Sequence, residues 1–326
     1  EFENSIKEYT SAKYCFAVNN GTISLTLAAL ALGIGPGDEV IVPNFTMVAS
    51  PNSVKMLGAK PIFVDVEPET LCMDFTKLER ACGPKTKAIM LVSANGRYPL
   101  VHINEFVNFA NEKNLKIIED SAQALGSFYP NGTHIGLLGD IGSISFSMPK
   151  IITTGQGGAL ITNNDDLAEK IKLLKNFGRA SSGNDQHQTI GFNSKFTEMQ
   201  AAIGVEQMKK LSTRVDLKKK IWTRYRENLK DLPAITLFEH NLETTAPWFI
   251  DAVCDDRDGL KSFLALNGIG SREMYPPLNQ QEAYNELGEY PVSFNIGHKG
   301  LWLPSAAQLQ EEEIDYVTSK IQEFYS

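Results

Sequence analysis

Apolar residues in the first half of the chain come in short runs: Glu39–Val42, Pro61–Val64, Ala88–Val92, Lys116–Ile118, Ser143–Phe146 and Ala159–Thr162. These runs are rich in Val and Ile and are bounded by Gly, Pro, Asp or Asn, a pattern that predicts strands. Between them lie stretches with helical spacing, among them Thr22–Leu32, Thr46–Leu57 and Ile103–Asn111. Alternation of this kind predicts an α/β fold with a mostly parallel sheet covered on both faces. Ligands of such sheets bind beyond the carboxyl ends of the strands, so chemistry is expected just after each run.

From Asp165 the pattern changes. Asp165–Phe177 reads as a helix, and Gly178–Asn193 is polar, glycine-rich and poorly periodic. A loop of that length in a compact chain is usually functional or disordered. Lys195–Asn228 reads as long helical stretches rich in Lys and Arg, and Ala234–Ser326 mixes strand-like and helical pieces. The predicted division is a large domain over residues 1–212 and a smaller C-terminal α/β domain over 213–326.

Composition narrows the function classes. With 326 residues the chain can bury a large core and form two domains. A net charge of −8 lacks the basic stripe of a nucleic-acid binder. It leaves room for a nucleotide ligand, since a few backbone amides and one or two cations hold a phosphate. Cys15, Cys72, Cys82 and Cys254 form no CxxC pair, and read as free, mostly buried thiols with no metal site. No apolar run approaches the ~20 residues of a membrane span. The acidic, polar start Glu1-Phe2-Glu3-Asn4 is not a signal peptide. Sequons at Asn20, Asn44 and Asn131 then read as chance or structural. The expectation is a cytoplasmic enzyme without a nucleic-acid or membrane partner.

Three segments carry candidate chemistry. In Ser145-Phe-Ser-Met-Pro-Lys150-Ile-Ile-Thr-Thr-Gly-Gln-Gly-Gly158, a strand runs into a proline, a lysine and a glycine cluster. Such a turn can hold a lysine over a ligand and desolvate it into a nucleophile; the other reading is a surface lysine. In Ile117-Ile-Glu-Asp120-Ser-Ala-Gln123, an acid follows a buried strand. It can pair a protonated ring nitrogen or merely cap the next helix. Asn19-Asn20-Gly21-Thr22 opens a helix, where free N–H groups make an anion site or an ordinary cap.

Taken together and in this order, the segments resemble the DegT/DnrJ/EryC1/StrS sugar aminotransferases, within the fold type I pyridoxal-phosphate enzymes. The resemblance covers nearly the whole chain. Its motifs are Asn20-Gly-Thr, Gly33-Ile-Gly-Pro-Gly-Asp-Glu-Val-Ile-Val-Pro43, Gly58-Ala-Lys-Pro-Ile-Phe-Val-Asp65 and Glu119-Asp-Ser-Ala-Gln123. To these add the Lys150 segment through Gly158, and Gly191-Phe-Asn193 followed by Glu198-Met-Gln-Ala-Ala202. The resemblance implies an aspartate-aminotransferase-like fold, with a mostly parallel seven-stranded sheet in the large domain. It implies pyridoxal 5'-phosphate as cofactor, with pyridoxamine 5'-phosphate formed in turnover, and no metal.

By the same resemblance, Lys150 is the Schiff-base lysine and Asp120 the partner of the pyridine nitrogen. Gln123 matches a residue beside the ring; Gly21, Thr22 and Ser145 match phosphate contacts. Asn193 matches an asparagine that reaches the cofactor phosphate of a neighbouring subunit, which implies a homodimer with shared active sites. Met47 stands where the family usually stacks an aromatic residue on the cofactor, and a thioether can take that contact. Asn279 of Tyr275-Pro-Pro-Leu-Asn279 stands where a His is common. Family members normally carry a further N-terminal stretch that often touches substrate.

The implied reaction moves an amino group from glutamate to a nucleotide-linked 4-keto-6-deoxyhexose, as in perosamine and viosamine synthesis. Amination at C3, or a non-catalytic regulator of the same fold, are the alternatives. The family's dehydratases carry His at the lysine position, and position 150 is Lys. A dinucleotide-dependent oxidoreductase is excluded because no GxGxxG follows the first strand. The choice among UDP, dTDP and GDP is not legible in the sequence.

Overall fold

In the computed structural model, residues 1–180 and 185–326 are described. Seven strands form the larger sheet: β1 (Tyr14–Val18), β2 (Glu39–Pro43), β3 (Lys60–Val64), β4 (Thr86–Val92), β5 (Lys116–Asp120), β6 (Ile141–Ser145) and β7 (Gly158–Thr162). Their order is β1-β7-β6-β5-β4-β2-β3, and β7 alone runs against its neighbours. The second sheet joins β8 (Ile235–Leu237), β9 (Ile250–Cys254), β10 (Arg272–Glu273) and β11 (Gly300–Leu303) in the order β10-β11-β9-β8, all antiparallel.

The helices are α1 (Phe2–Thr10), α2 (Gly21–Ala31), α3 (Ala49–Lys55), α4 (Leu78–Ala81), α5 (Ile103–Glu112) and α6 (Asp165–Leu174). They continue with α7 (Glu198–Met208), α8 (Leu211–Leu229), α9 (Arg257–Leu266), α10 (Pro291–Lys299) and α11 (Glu311–Phe324). Period-two alternation sorts the strand side chains onto two faces. Val40, Val42, Met90 and Ile118 pack under α2 and α6, while Ile41, Ile89, Leu91 and Ile117 pack under α5. Both faces are therefore dry, which is why the strands read as continuous apolar runs. A third core lies between α8, α9, α11 and the small sheet.

All six expected strands form, and the sheet is mostly parallel with seven strands. Two elements escaped the sequence reading. Helix α1 buries Phe2, Ile6 and Thr10 along one face, but Glu1 makes no capping bond that would mark its start. Edge strand β1 pairs along its length with one strand, β7, and otherwise carries a single bridge from Val18 to Lys195. The helix expected over 46–57 is shorter, because Pro51 would clash with the carbonyl four residues earlier if the helix began before Val48. The helix expected to reach Phe177 ends at Leu174; Phe177 and Gly178 then take φ of +58° and +81°. The stretch from Lys195 begins its helix only at Glu198, after a Thr197–Gln200 capping box, and is divided between α7 and α8.

Loop 178–193 is pinned at its ends by a bridge between Asn176 and Asn193 and by the Phe177 N–H donating to the Phe192 carbonyl at 3.0 Å. Residues 181–184 of that loop lie outside the described residues. The predicted division at 212/213 falls in the first turn of α8, which continues unbroken for 19 residues. Cys15, Cys72 and Cys254 are buried, Cys82 is half-buried, and all four are unpaired. Among the described residues no helix is long and apolar enough to cross a membrane.

The two sheets are joined by a buried ion pair. Arg97, after β4, reaches Asp251 of β9 through two nitrogens at 2.6 and 3.1 Å. Its Nε donates to the Thr70 carbonyl at 2.8 Å, and His240 Nε2 lies 3.0 Å from the guanidinium. Burial and the neighbouring guanidinium hold the His240 imidazole well below its ordinary pKa, and so neutral.

Candidate active site

Helix α2 starts three residues after β1. Asn20 caps it, its side-chain oxygen accepting the Ile23 N–H at 2.9 Å. The first N–H groups of a helix have no intrahelical acceptor and carry the positive end of its dipole. Glycines keep this end open. A Cβ on Gly21 would lie 3.0 Å from Ser145 Cβ, and one on Gly158 would lie 2.6 Å from the Asn20 carbonyl. Gly21, with Thr22 next to it, thus meets Ser145 where β1 and β6 end and β7 begins.

Asp120 is the last residue of β5 and is buried. Ser50 Oγ donates to its Oδ2 at 2.7 Å and the Ala122 N–H to its Oδ1 at 3.2 Å. Burial raises its pKa above the ordinary carboxylate value; the two donors and the Lys150 charge act in the other direction. Its neighbour Glu119 points to the opposite face. There the carboxylate accepts from Tyr129 Oη and from the N–H groups of Gly136, Leu138 and Gly139, at 2.7 to 3.0 Å.

Lys150 lies in the turn after β6, its ammonium 3.8 Å from the Trp248 ring centroid. Trp248 Nε1 donates to the Pro149 carbonyl at 2.6 Å, so ring and turn hold one another. Burial pushes the Lys150 amine down to about 8, against the pull of Asp120. An amine that sheds its proton near neutrality is a competent nucleophile and proton carrier. Gln123 Oε1 accepts the Asn95 N–H at 2.6 Å. Asn95, at φ +53°, clasps the Phe249 backbone with its amide at 2.9 and 2.6 Å. Lys150, Gln123, Ser145 and Trp248 line one small cavity.

These observations fix a constellation at the strand ends; the chain as a whole identifies it. The family model for DegT/DnrJ/EryC1/StrS aminotransferases matches residues 1–322. The chain belongs to that family. It is 37% identical to a GDP-perosamine synthase of Escherichia coli O157:H7, over 100% of this chain and 90% of the relative. It is 34% identical to a dTDP-3-amino-3,6-dideoxy-alpha-D-galactopyranose transaminase of Aneurinibacillus thermoaerophilus, over 99% and 89%. A pleiotropic regulatory protein of Geobacillus stearothermophilus is 35% identical, over 100% and 88%. Among solved structures, a DegT DnrJ EryC1 StrS aminotransferase from Brucella abortus superimposes with a TM-score of 0.93 at 32% identity, over 100% of this chain and 89% of that one.

The family's members are pyridoxal-phosphate-dependent sugar aminotransferases, and the local geometry suits that cofactor. An open helix start walled by glycines suits a phosphate. A buried carboxylate with two neutral donors suits a protonated ring nitrogen. Of the other predicted positions, Thr22 is half-buried in the first turn of α2, Met47 is 46% exposed, and Asn193 is exposed. The Asn193–Lys195 segment runs beside Val18 and Asn19, with a bridge from Val18 to Lys195. Asn279 has a structural partner: its N–H and side-chain oxygen pair with the Asn44 amide, both at 2.9 Å. Sequence reasoning did not find Ser50, Asn95 or Trp248. None stands in a local motif; each reaches the site only through tertiary packing.

Proposed function

We propose that this chain is a pyridoxal-phosphate aminotransferase that converts a nucleotide-linked 4-keto-6-deoxyhexose to the 4-amino-4,6-dideoxy sugar, with glutamate as donor. The observation that carries the reading is the Lys150 amine, buried and held on Trp248 with burial pushing it down to about 8, in electrostatic reach of buried Asp120. The similarity to a GDP-perosamine synthase supports amination at C4.

Pyridoxal phosphate, when bound, supplies an electron sink that lets an amino group and a proton be exchanged at a carbon. Gly21, Thr22 and Ser145 hold its phosphate, and Asp120 keeps its ring nitrogen charged. Ser50 fixes the Asp120 carboxylate, and Asn95 fixes Gln123 beside the ring. Lys150 carries the proton to and from the reacting carbon of each substrate. Trp248 keeps water from the free amine and sets its direction of approach. Asn193 of one subunit reaches the phosphate site of a second copy, so the working form is a homodimer. Residues 1–212 carry the cofactor, and 213–326 supply the covering wall.

The similarity to a regulatory protein raises a non-catalytic reading, but retained Lys150 and Asp120 favour catalysis. The test is a panel of GDP-, dTDP- and UDP-linked 4-keto and 3-keto sugars, incubated with glutamate and followed by NMR. A 4-amino product is expected. A product aminated at C3 would overturn the C4 assignment, and no product from any member would overturn the catalytic reading.

A further inference from the structure

The first turn of α1 packs against the strands that lead to Gly21 and Ser145. Glu3 Oε1 accepts the Ala17 N–H of β1 at 2.7 Å. The Lys175 ammonium donates to the Ala17 carbonyl at 2.8 Å and lies 3.4 Å from Glu3. An edge strand leaves main-chain groups without a strand partner. Here two side chains take both groups of Ala17, and so fix the peptide just before the Asn20 cap and Gly21. Lys175 also holds the segment after Asn193. Its carbonyl accepts the Ser194 N–H at 3.2 Å, and the Ser194 carbonyl accepts the Asn19 N–H at 3.3 Å.

Phe2 does for β6 what Glu3 does for β1. Its ring is buried, meeting the Phe146 ring edge-on at 5.0 Å and stacking on Phe196 at 5.4 Å. Phe146 directly follows Ser145, and Phe196 closely follows Asn193. The Phe2 ring also rests on α7, where a Cβ on Gly204 would come within 2.6 Å of it. Phe196 in turn closes on Gly157, where a Cβ would lie 2.8 Å from its ring. Two adjacent residues thus grip the exit of β1, the exit of β6 and the stretch that carries Asn193. Rings packed this closely pass a displacement on rather than absorb it. Among the described residues no hydrogen bond or ring contact links Phe2 or Glu3 to Lys150 or Asp120.

Resting on the cofactor reading above, we propose that Phe2 and Glu3 are positioning residues for the cofactor phosphate. They act through Ala17 and Phe146, setting the spacing between the start of α2, Ser145 and the Asn193 segment. An anion held by N–H and O–H donors binds only as well as those donors converge, and here they come from segments far apart in the chain. A general loosening of the fold would weaken every part of the cofactor site alike. Loss of the α1 grip acts chiefly on the phosphate, because Trp248 holds the lysine and Ser50 holds the ring-nitrogen acid.

The test titrates cofactor-free protein with pyridoxal 5'-phosphate and with pyridoxal, which differ only in the phosphate, and reads the visible absorbance of the lysine-bound ligand. Glu3→Ala and Phe2→Ala are each expected to weaken binding of the phosphate form by about 10-fold, the scale of one charged hydrogen bond. Both should leave pyridoxal binding close to wild type. Glu3 is half-buried at the surface, so its variant reports on binding even if Phe2→Ala unfolds the protein. Equal losses for the two ligands, or unchanged affinity for the phosphate form in folded Glu3→Ala, would overturn the proposal. If wild type forms no lysine-bound species with either ligand, the cofactor reading falls and the proposal with it. If wild type binds both and the variants do not discriminate between them, the proposal alone falls.

Discussion

On the large-sheet side of the candidate site, Gly21, Asp120, Ser145 and Lys150 all lie within a few residues of the ends of β1, β5 and β6. On the facing side, Lys218 comes from the middle of α8, Trp248 from the residues before β9, and Arg272 from a two-residue strand. The first wall depends on backbone: a helix start, a turn, and glycines that admit no side chain. The second depends on side chains sent in from separate elements onto a shared space. Backbone-built sites leave compact motifs in a sequence, while side-chain-built sites leave isolated residues that resemble any surface cation. The two walls should therefore fail differently when altered.

The largest effect is expected on the first wall at Lys150. Lys150→Ala should abolish transamination and the visible absorbance of the lysine-bound cofactor, while the melting temperature stays near wild type. Substantial residual transamination would remove Lys150 from the chemistry.

Next comes the contrast between two adjacent carboxylates. Asp120→Asn should lower the rate by at least ~100-fold with the fold intact, since it removes a preorganised charge from the reacting group. Glu119→Gln should instead destabilise the fold, by about 1.5–3 kcal/mol for the weakened set of charged hydrogen bonds, and leave the chemistry of folded enzyme largely unaltered. Denaturant melts combined with single-turnover rates separate the two. A reversed pattern would exchange their roles.

A smaller effect tests whether the first wall is completed by a second copy. Asn193→Ala should weaken cofactor binding by about 1.5–3 kcal/mol. Mixed with Lys150→Ala chains, it should yield heterodimers in which one site carries both lesions and the other neither. About half the wild-type activity of those dimers should return. An active monomer, or heterodimers no better than the parents, would end the shared-site reading.

The smallest effect belongs to the second wall and is a matter of pH. Burial pushes the Lys218 ammonium down to about 7 in the fold, from about 10.4 in an unfolded chain. Between those values the unfolded chain binds more protons than the folded one, so stability rises with pH across that window. Cofactor-loaded wild type should gain melting temperature from pH 7 to 9 relative to Lys218→Met, by a few degrees. In the cofactor-loaded protein Lys150 would be engaged by the cofactor on the reading proposed above. Parallel curves for the two proteins would mean that Lys218 is not buried as a free amine.

The large sheet was legible because its strands are dry on both faces, and its site because backbone conformation there demands Gly, Pro and capping residues at fixed offsets. Helix α1 and strand β1 were not, since an uncapped first turn and an edge strand paired on one side only leave weak patterns. Asn95 is the instructive omission. Its left-handed backbone and its two hydrogen bonds to Phe249, 154 residues away, tie Gln123 to the Trp248 segment. Nothing local to Asn95 announces that partner. Likewise Asn279 is noticeable in sequence only as a missing His, whereas in the fold it closes an amide pair with Asn44.

The Arg97–Asp251 pair has a consequence for how this protein can diverge. Removing one member of a buried ion pair strands the other, at a cost of roughly 3–5 kcal/mol, a large share of the stability of an ordinary domain. Exchanging both for apolar residues of matching volume can be nearly neutral. The two codons are thus locked to each other across the chain. Lineages that keep the arginine should keep the aspartate, and those that lose one should lose both, with His240 and Thr70 released to vary only in the second group.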